Sequence, residues 1–182
     1  MTNFPPEFCP YCGTAVEPVD PPTVQRCPSC ADDVFHNPCP GGGTVVVDGD
    51  DLLLIEDFRP EGGWKLPEGR VECGESPREG VARELREETN LRVDPDDLTF
   101  LYDEAGEPVE GQYMAETYFA VDRADVRGEV EAGDDAVDAR FFSPIEFDRS
   151  DHELREKFRD PFWYPDLDRL HGLAIDALAP SE

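Results

Sequence analysis

The chain has 182 residues, which is enough for one domain and a small additional module. It carries 43 acidic residues against 16 lysines and arginines, for a net charge of −27 at pH 7. This charge argues against binding to bare nucleic acid or to an anionic membrane, because both would repel the chain.

The acidity is spread along the whole chain and is not gathered in a tail. An acidic fold under this self-repulsion needs screening by salt, so the composition is typical of a cytoplasmic protein of halophilic type. The alternative is an acidic chain adapted to a basic partner. Neither a signal peptide nor an apolar run of about 18 residues is evident, so we expect a cytoplasmic protein without a membrane partner.

Residues 1–40 predict a zinc ribbon and a connector. The segments Cys9-Pro10-Tyr11-Cys12 and Cys27-Pro28-Ser29-Cys30 are two Cys-x-x-Cys knuckles separated by 14 residues. Four thiolates at this spacing suit structural Zn²⁺, whereas disulfides or a redox pair explain two matched knuckles less well. So small a module needs its metal to fold. Arg26 is its one basic residue, so we expect no nucleic-acid contact.

Residues 41–150 predict the main α/β domain. The stretch 37–43 is rich in Pro and Gly, and we expect an irregular connector there. The apolar runs Thr44–Val47 and Leu52–Ile55 flank Asp48-Gly49-Asp50 and predict a hairpin. These strands and the later ones predict a mixed sheet.

A helix is predicted from Ser76, which fits the N-cap, with Pro77 at the first helical position and Glu79 completing a capping box. Glu84, Glu87 and Glu88 then lie at i, i+3 and i+4 on one face. Like charges this close repel, and Mg²⁺ or Mn²⁺ would relieve the repulsion through carboxylate oxygens. The alternative is a solvated acidic face.

Four further segments complete the predicted elements of residues 41–150. Strands are expected at 98–102, 113–121 and 139–142, and another helix begins near Ser143. Residues 151–182 are expected to form a helical extension with a helix from Asp151 to about Lys157. Its last helix, from Asp166 to Leu178, serves either as a homodimer interface or as a cover for the core.

The pattern around the glutamates resembles the Nudix box: Gly, five residues, Glu, seven residues, then Arg-Glu-hydrophobic-x-Glu-Glu-x-Gly-hydrophobic. The matching positions are Gly69, Glu75, Arg83, Glu84, Leu85, Glu87, Glu88 and Leu91. Asn90 replaces the final Gly and is the next residue best able to adopt positive φ. The preceding 64–69 is similar to the family's approach to the box, with Glu68 where a second Gly is common.

The resemblance implies a Nudix-type α/β/α sandwich and hydrolysis of a nucleoside diphosphate linked to another group, with Mg²⁺ or Mn²⁺ as cofactor. It implies that Glu84, Glu87 and Glu88 bind the metal, with Glu87 and Glu88 also counted as catalytic. Glu75 is an additional or outer metal contact. Arg83 orients one of these carboxylates, and Gly69 lets the backbone approach the phosphates.

The general base is either a helix glutamate or an acid of a later loop, where the candidates are Glu131, Asp134, Asp135 and Asp138. Each of these has the alternative of a solvated loop acid, and we select Asp135. Arg59 and Arg70 near the box are candidate phosphate or ribose contacts, with solvated ion pairs as the alternative.

Two substrates compete. The segments 132–136 and 139–142 are similar to the late loop and strand of ADP-ribose pyrophosphatases, which favours ADP-ribose cut to AMP and ribose 5-phosphate. A ribbon before the domain is similar to NADH pyrophosphatases, but their Ser-Gln-Pro-Trp-Pro-Phe run does not follow the box here, and Pro161–Pro165 lies too late. A different class is a non-catalytic nucleotide-binding regulator that uses the ribbon for docking.

Overall fold

The computed structural model describes residues 4–59, 62–133, 136–155 and 166–180. The chain divides into two compact units. One comprises Met1–Cys39 with Ala105–Ala115, and the other comprises Pro40–Glu104 with Glu116–Glu182.

The smaller unit contains a three-stranded antiparallel sheet of β1 (Glu17–Asp20), β2 (Val24–Arg26) and β3 (Asp33–Phe35). Its buried cluster consists of Cys9, Cys27 and Val34. Two of these three core residues are thiols, so ordinary apolar burial contributes little to this unit.

The larger unit is built on a seven-stranded sheet with the main order β10-β5-β4-β9-β8, while β6 pairs with β5 and β7 pairs with β4. The strands are β4 (Cys39–Asp48), β5 (Asp51–Asp57), β6 (Trp64–Lys65), β7 (Glu68–Arg70), β8 (Thr99–Val109), β9 (Gln112–Asp122) and β10 (Ala136–Phe142). The α-helices are α1 (Pro77–Thr89), α2 (Pro144–Arg149) and α3 (Leu167–Leu178), with 3₁₀ turns at Pro95–Asp97 and Arg123–Asp125.

Alternation along the central strands creates two apolar faces. On one face, Val46 and Leu53 lie in a cluster with Leu85 of α1. On the other, Val45 and Leu54 lie in a cluster that includes residues of α2 and α3, namely Phe147, Leu167, Leu170 and Ala174. The predicted α/β/α sandwich with a mixed sheet is therefore confirmed, and the apolar face of α3 covers the core of its own chain.

The predicted hairpin and its turn are confirmed. Val47 pairs with Leu52 and Asp48 with Asp51, and Gly49 takes φ +63° between them. The Asp-Gly turn signal and the continuous apolar runs on either side of it therefore indicated the correct strands.

The predicted irregular connector is wrong, because β4 already begins at Cys39 and its glycines are paired. Gly41, Gly42 and Gly43 lie opposite Arg70, Gly69 and Glu68 of β7. A Cβ on Gly42 would overlap the carbonyl oxygen of Thr117, so this glycine serves close packing between strands. The pairing fixes the position of Gly69.

The predicted helix from Asp151 to Lys157 is wrong over its described part. Residues 151–155 are not helical, and Leu154 forms a parallel bridge with Trp64. Trp64 donates its N–H to Glu153 O at 2.8 Å, and Arg155 donates to Trp64 O at 2.9 Å. Pairing with β6 therefore outweighs local helix propensity here, whereas Pro161–Pro165 lies outside the described residues.

The prediction of the last helix is confirmed. Asp166 is the N-cap of α3 and accepts hydrogen bonds from the backbone N–H groups of Asp168 and Arg169. Across the described ranges, no helix is long and apolar enough to cross a membrane.

Candidate active site

Helix α1 begins and ends as its sequence predicts. Ser76 Oγ accepts the backbone N–H of Glu79 at 3.3 Å, and Glu79 Oε2 accepts the N–H of Ser76 at 2.8 Å. At the other end Asn90 takes φ 61°, donates its N–H to Arg86 O at 2.9 Å, and donates its side-chain amide to Glu129 O at 3.2 Å. Asparagine therefore fills the helix-ending position of the glycine that it replaces.

Gly69 lies directly against the glutamate face of this helix. A Cβ added to Gly69 would overlap the carboxyl carbon and both carboxyl oxygens of Glu84. The glycine thus creates the space that the Glu84 carboxylate occupies beside β7.

Arg83 joins the loop before the helix to the glutamates. Its Nε and Nη2 donate to the two carboxylate oxygens of Glu75 at 2.8 and 3.1 Å. Its Nη1 donates to Glu84 at 2.9 Å and to Glu87 at 3.0 Å, while Nη2 also donates to Arg70 O at 2.7 Å. The hydrogen bond from Arg83 lowers the pKa of Glu75, and the one to Glu75 is the main cause raising the pKa of Arg83.

Arg83 therefore lies among the carboxylates, in a position from which it can orient Glu84 and Glu87. Glu75 also accepts the backbone N–H of Glu72 at 2.9 Å, so its two oxygens are both engaged within the chain. The arrangement makes Glu75 a partner that fixes the arginine.

Glu88 is the most enclosed of the three helix glutamates, with 6% of its surface exposed. Lys65 Nζ donates to its Oε1 at 2.8 Å, and the backbone N–H of Glu68 donates to its Oε2 at 2.8 Å. Burial raises the pKa of Glu88 to about 7, although Lys65 acts in the opposite direction. Glu87, in contrast, has 48% of its side chain exposed and also accepts from Arg86.

The buried hydroxyl of Tyr118, which contacts Glu68, was not predicted from the sequence. Tyr118 Oη lies 3.2 Å from Glu68 Oε2 and 3.4 Å from Glu116 Oε2, and Arg70 donates to Glu116 at 3.4 Å. Burial, together with Glu68 and Glu116, raises the pKa of Tyr118 well above its ordinary value. The phenol therefore keeps one proton, which it can donate to one of the two carboxylates at a time.

Arg155 joins Glu68 to a further buried carboxylate, that of Asp57. Its Nη1 donates to Asp57 Oδ2 at 2.7 Å, and its Nη2 forms an ion pair with Glu68. Burial tends to raise the pKa of Asp57, but hydrogen bonds from Arg155 and from the backbone of Arg59 hold that pKa below its ordinary value. The Arg59 guanidinium itself is exposed and lies 3.5 Å from Asp57.

Lys65 and Arg155 were missed because their partners are distant in sequence. Lys65 lies 23 residues from Glu88, and Arg155 lies 87 residues from Glu68. The one available signal was that Lys65 is one of only two lysines in an acidic chain and lies just before the box.

The late loop reaches the end of α1. The N–H of Glu131 donates to Thr89 O at 3.0 Å, and that of Gly133 donates to Glu88 O at 2.9 Å. A Cβ on Gly133 would overlap the carbonyl oxygen of Glu87, so only glycine allows this approach.

The remaining candidate acids divide into two groups. Asp134 and Asp135 lie outside the described residues. Asp138 forms an ion pair with Arg140 and accepts the N–H of Ala139 at 2.8 Å.

The donor set on α1 fits a hard divalent cation in its chemistry. Glu84, Glu87 and Glu88 supply carboxylate oxygens on one face, and Gly69 leaves a cradle that a Cβ would fill. In the part of the chain that the structure describes, these three carboxylates do not bring their oxygens within 4.8 Å of one another. Lys65 binds Glu88, whereas Arg83 binds Glu84 and Glu87.

The four knuckle cysteines do converge. Among the described residues, Cys9, Cys12, Cys27 and Cys30 place their sulfurs within 4.8 Å of one another, and Cys12 Sγ lies 3.5 Å from Cys27 Sγ. A tetrahedron with Zn–S bonds of about 2.3 Å has edges of about 3.8 Å. The soft thiol donors at these separations fit zinc.

The two knuckles have the same backbone. Gly13 donates its N–H to Cys9 O, and Ala31 donates to Cys27 O, both at 2.9 Å. Both residues take positive φ, at 73° and 60°. Hydrogen bonding by Thr14 lowers the pKa of Cys12 to about 6, which favours the thiolate that binds metal.

The fold and helix α1 define a class of protein. It is a three-layer α/β protein in which a glutamate face on a helix lies beside a strand that carries a glycine, here Gly69 on β7. The chain belongs to the Nudix family, since the NUDIX domain matches residues 39–163.

Curated relatives carry several names. Over 101 residues the chain is 37% identical to the ADP-ribose pyrophosphatase of Methanocaldococcus jannaschii, covering 55% of this chain and 58% of that protein. Over 87 residues it is 36% identical to the NAD-capped RNA hydrolase NudC of Pseudomonas aeruginosa, covering 47% and 31%. Over 58 residues it is 48% identical to a MutT-like protein of Streptomyces ambofaciens, covering 32% and 38%. The matches thus span between about a third and three fifths of these relatives.

Solved structures agree on the fold. A NUDIX hydrolase from Nitrosomonas europaea matches with a TM-score of 0.66 and 21% identity over 97% of both chains. The MutT NUDIX hydrolase from Burkholderia pseudomallei matches with a TM-score of 0.58 and 22% identity, over 79% of this chain and 99% of that one. At identities this low the likeness concerns the fold alone.

Proposed function

We propose that the chain is a divalent-metal-dependent pyrophosphohydrolase that cleaves the diphosphate bond of a nucleoside diphosphate-linked substrate. The observation that carries this proposal is the glutamate face of α1, with Glu84 seated against Gly69 and Arg83 oriented by Glu75. A non-catalytic regulator has no need of this interlocked carboxylate set, so that alternative is not favoured.

Mg²⁺ or Mn²⁺ bound by Glu84, Glu87 and Glu88 would neutralise the diphosphate oxygens and lower the pKa of a water. The chain's own groups keep these carboxylates in place. Lys65 and the Glu68 N–H fix the two oxygens of Glu88, and Arg83 holds Glu84 and Glu87 on the same face. Fixed donors stabilise the developing charge without reorganisation.

We assign proton removal from the attacking water to Asp135. The support is the approach of the loop as far as Gly133, which contacts the backbone of Glu87 and Glu88. Water adds to one phosphorus as Asp135 takes its first proton, and the bridging P–O bond breaks so that the bridging oxygen leaves on the other phosphate. The proton on Asp135 then passes to that phosphate or to solvent, and solvent takes the water's second proton from the new phosphate group. Arg59 and Arg70 carry exposed guanidinium surface close to the box and are assigned to phosphate or ribose binding.

ADP-ribose is the proposed substrate, cut by one water to AMP and ribose 5-phosphate. The support is the late-loop resemblance and the relative named ADP-ribose pyrophosphatase. NADH or NAD⁺ is the second candidate, because other relatives are named NAD-capped RNA hydrolase. For the same reason the expectation of no nucleic-acid substrate is not carried forward, and a capped RNA belongs among the compounds to be tested.

We further propose that the four knuckle cysteines bind one structural zinc ion. Their converging sulfurs and the matching turns of both knuckles support this assignment.

The test is a turnover assay in high KCl with Mg²⁺. It compares ADP-ribose, NADH, NAD⁺, diadenosine polyphosphates, nucleoside triphosphates and a short NAD-capped RNA. We expect AMP and ribose 5-phosphate from ADP-ribose, with kcat reduced about 10²-fold or more in Glu88→Gln, because one fixed charge at the site is lost. Glu110→Gln, at an exposed glutamate outside the box, should match the wild type.

The same assay assigns the base. Asp135→Asn should lower kcat by about 10²–10⁴-fold, and by more than Asp134→Asn, Glu131→Gln or Asp138→Asn. Absence of turnover with every compound, or full turnover by Glu88→Gln, would refute the proposed hydrolase. Preferential cleavage of NADH or of the capped RNA would transfer the substrate assignment to that compound.

A further inference from the structure

Arg155 lies outside the box but contacts the segment that supports it. Only 14% of its side chain is exposed, and it reaches Asp57 on β5 and Glu68 on β7 together. Its backbone N–H also binds Trp64 O at 2.9 Å, while Trp64 donates to Glu153 O at 2.8 Å. Residues 153–155 therefore hold the segment 64–68 at both of its ends.

This segment donates two hydrogen bonds to the Glu88 carboxylate. Lys65 binds one oxygen and the N–H of Glu68 binds the other, each at 2.8 Å. Lys65 Nζ also lies 3.4 Å from Glu68 O, which connects the two supports. A displacement of 64–68 would therefore move both donors away from Glu88.

The charges explain why an arginine is needed at this place. Glu68 stands where the family resemblance leads one to expect a second glycine, and it adds a buried carboxylate beside Asp57. One planar guanidinium can donate to both carboxylates at once, whereas a lysine offers a single point charge. Removal of this partner would leave two buried acids without their shared cation, and their repulsion would displace β7.

The backbone at Gly63 allows residues 153–155 to lie close to the start of β6. Gly63 takes φ 140°, and a Cβ placed there would lie 2.9 Å from the backbone nitrogen of Arg155. Glycine thus permits residues 153–155 to pass close to the start of β6.

From these contacts we propose that Arg155 is a positioning residue of the active site, which acts through Glu68 and the segment 64–68 to hold Glu88 in its metal-binding position. This inference rests on the proposed function and extends it to the C-terminal segment.

The test replaces Arg155 with Met, Lys or Ala and measures kcat, KM and Mn²⁺ binding by electron paramagnetic resonance in the full chain. We expect Arg155→Met to lower kcat and to weaken Mn²⁺ binding, each by about 10- to 100-fold, as loss of an outer support does, with KM changed by less than about 2-fold. Arg155→Lys should fall between Met and wild type. The part of the Mn²⁺ signal that is lost in Glu88→Gln is taken as the metal bound at the glutamate face of α1, and the Arg155 variants are compared on that part.

A second variant separates positioning from mere folding. Glu68→Gln in the Arg155→Met background removes the carboxylate charge that Arg155 neutralised, so kcat and Mn²⁺ affinity should recover to within about 5-fold of the wild type. Arg149→Met, at an exposed arginine at the end of α2, is the matched control. If Arg155→Met does not fold, Arg155→Lys provides the same comparison, with Glu68→Gln again expected to restore the loss.

Three outcomes would overturn the inference: kcat and Mn²⁺ affinity within 2-fold of wild type, a rise in KM alone, or a loss that follows only the folded fraction and is not relieved by Glu68→Gln. Failure of the proposed function looks different. The wild type would then turn over no compound, while Mn²⁺ binding would still measure the effect of Arg155.

Discussion

Two glycines allow close packing around the glutamate face of α1. Gly69 and Gly133 both lie where a methyl group would overlap another part of the site, Glu84 in one case and the α1 backbone in the other. The sequence pattern specifies the first glycine but does not say what it approaches. The structure assigns it a direct partner, the carboxylate of Glu84.

Gly69→Ala should therefore impair activity far more than stability. Because the atoms it would meet belong to the far end of a flexible side chain, Glu84 can swing away at a cost of about 1 kcal/mol or less. The displaced carboxylate leaves the donor face, so we expect kcat to fall by about 10- to 100-fold. The measurements are kcat at saturating Mg²⁺ and the thermal midpoint Tm.

The matched control for this change is Gly106→Ala, where an added Cβ would meet nothing within 4 Å. It should leave both kcat and Tm near the wild-type values. Wild-type activity in Gly69→Ala would show that the space beside Glu84 is not needed.

At the scale of elements, the sequence predicts features that depend on neighbouring residues and misses strand pairing between segments distant in the chain. The caps of α1, the span of α3 and the hairpin at Gly49 were predicted correctly, because side chains within a few residues specify them. The paired glycines 41–43 and the extended residues 151–155 were predicted wrongly, because their partners are strands elsewhere in the chain.

The same reason limits prediction of the site. Three carboxylates on one helix face follow from helix geometry, and the structure places all three on α1. Their supports, Lys65 on β6 and Arg155 near α2, are brought in by the tertiary fold, so spacing along the sequence carries no signal for them.

The small sheet β1–β3 should depend on the zinc ion proposed for the knuckle cysteines. Its buried cluster contains Cys9 and Cys27 with Val34, so without a metal it has little apolar surface to bury. Cys27→Ser should lower zinc content from about one ion per chain to a small fraction and make residues 4–39 sensitive to limited proteolysis. Metal analysis and mass spectrometry of the fragments measure both effects.

Cys73→Ser is the control, since Cys73 is an exposed free thiol outside the knuckles. It should retain zinc and protease resistance. A Cys27→Ser protein with full zinc content, or wild-type protein purified under reducing conditions without zinc, would contradict the assignment.

At the scale of the whole molecule, the charge of −27 sets an electrostatic cost on folding. The ion pairs in the site offset this cost only for the buried acids that they contact. Lys65 and Arg155 are buried beside their acids, whereas much of the remaining acidity lies on exposed positions. Salt should therefore act on the surface repulsion while leaving the buried pairs largely unscreened.

We accordingly expect Tm to rise as KCl is increased from 0.1 to 2 M. The Debye length falls from about 10 Å at 0.1 M to about 3 Å at 1 M, and each kcal/mol gained raises Tm by about 2–4 °C for a chain of this size. Scanning calorimetry in KCl, compared with sucrose of equal osmolality, separates screening from general exclusion of solute. Since only KCl screens charge, its effect should exceed that of sucrose. A Tm that is unchanged by KCl but raised by a polycation would instead support a chain adapted to a basic partner.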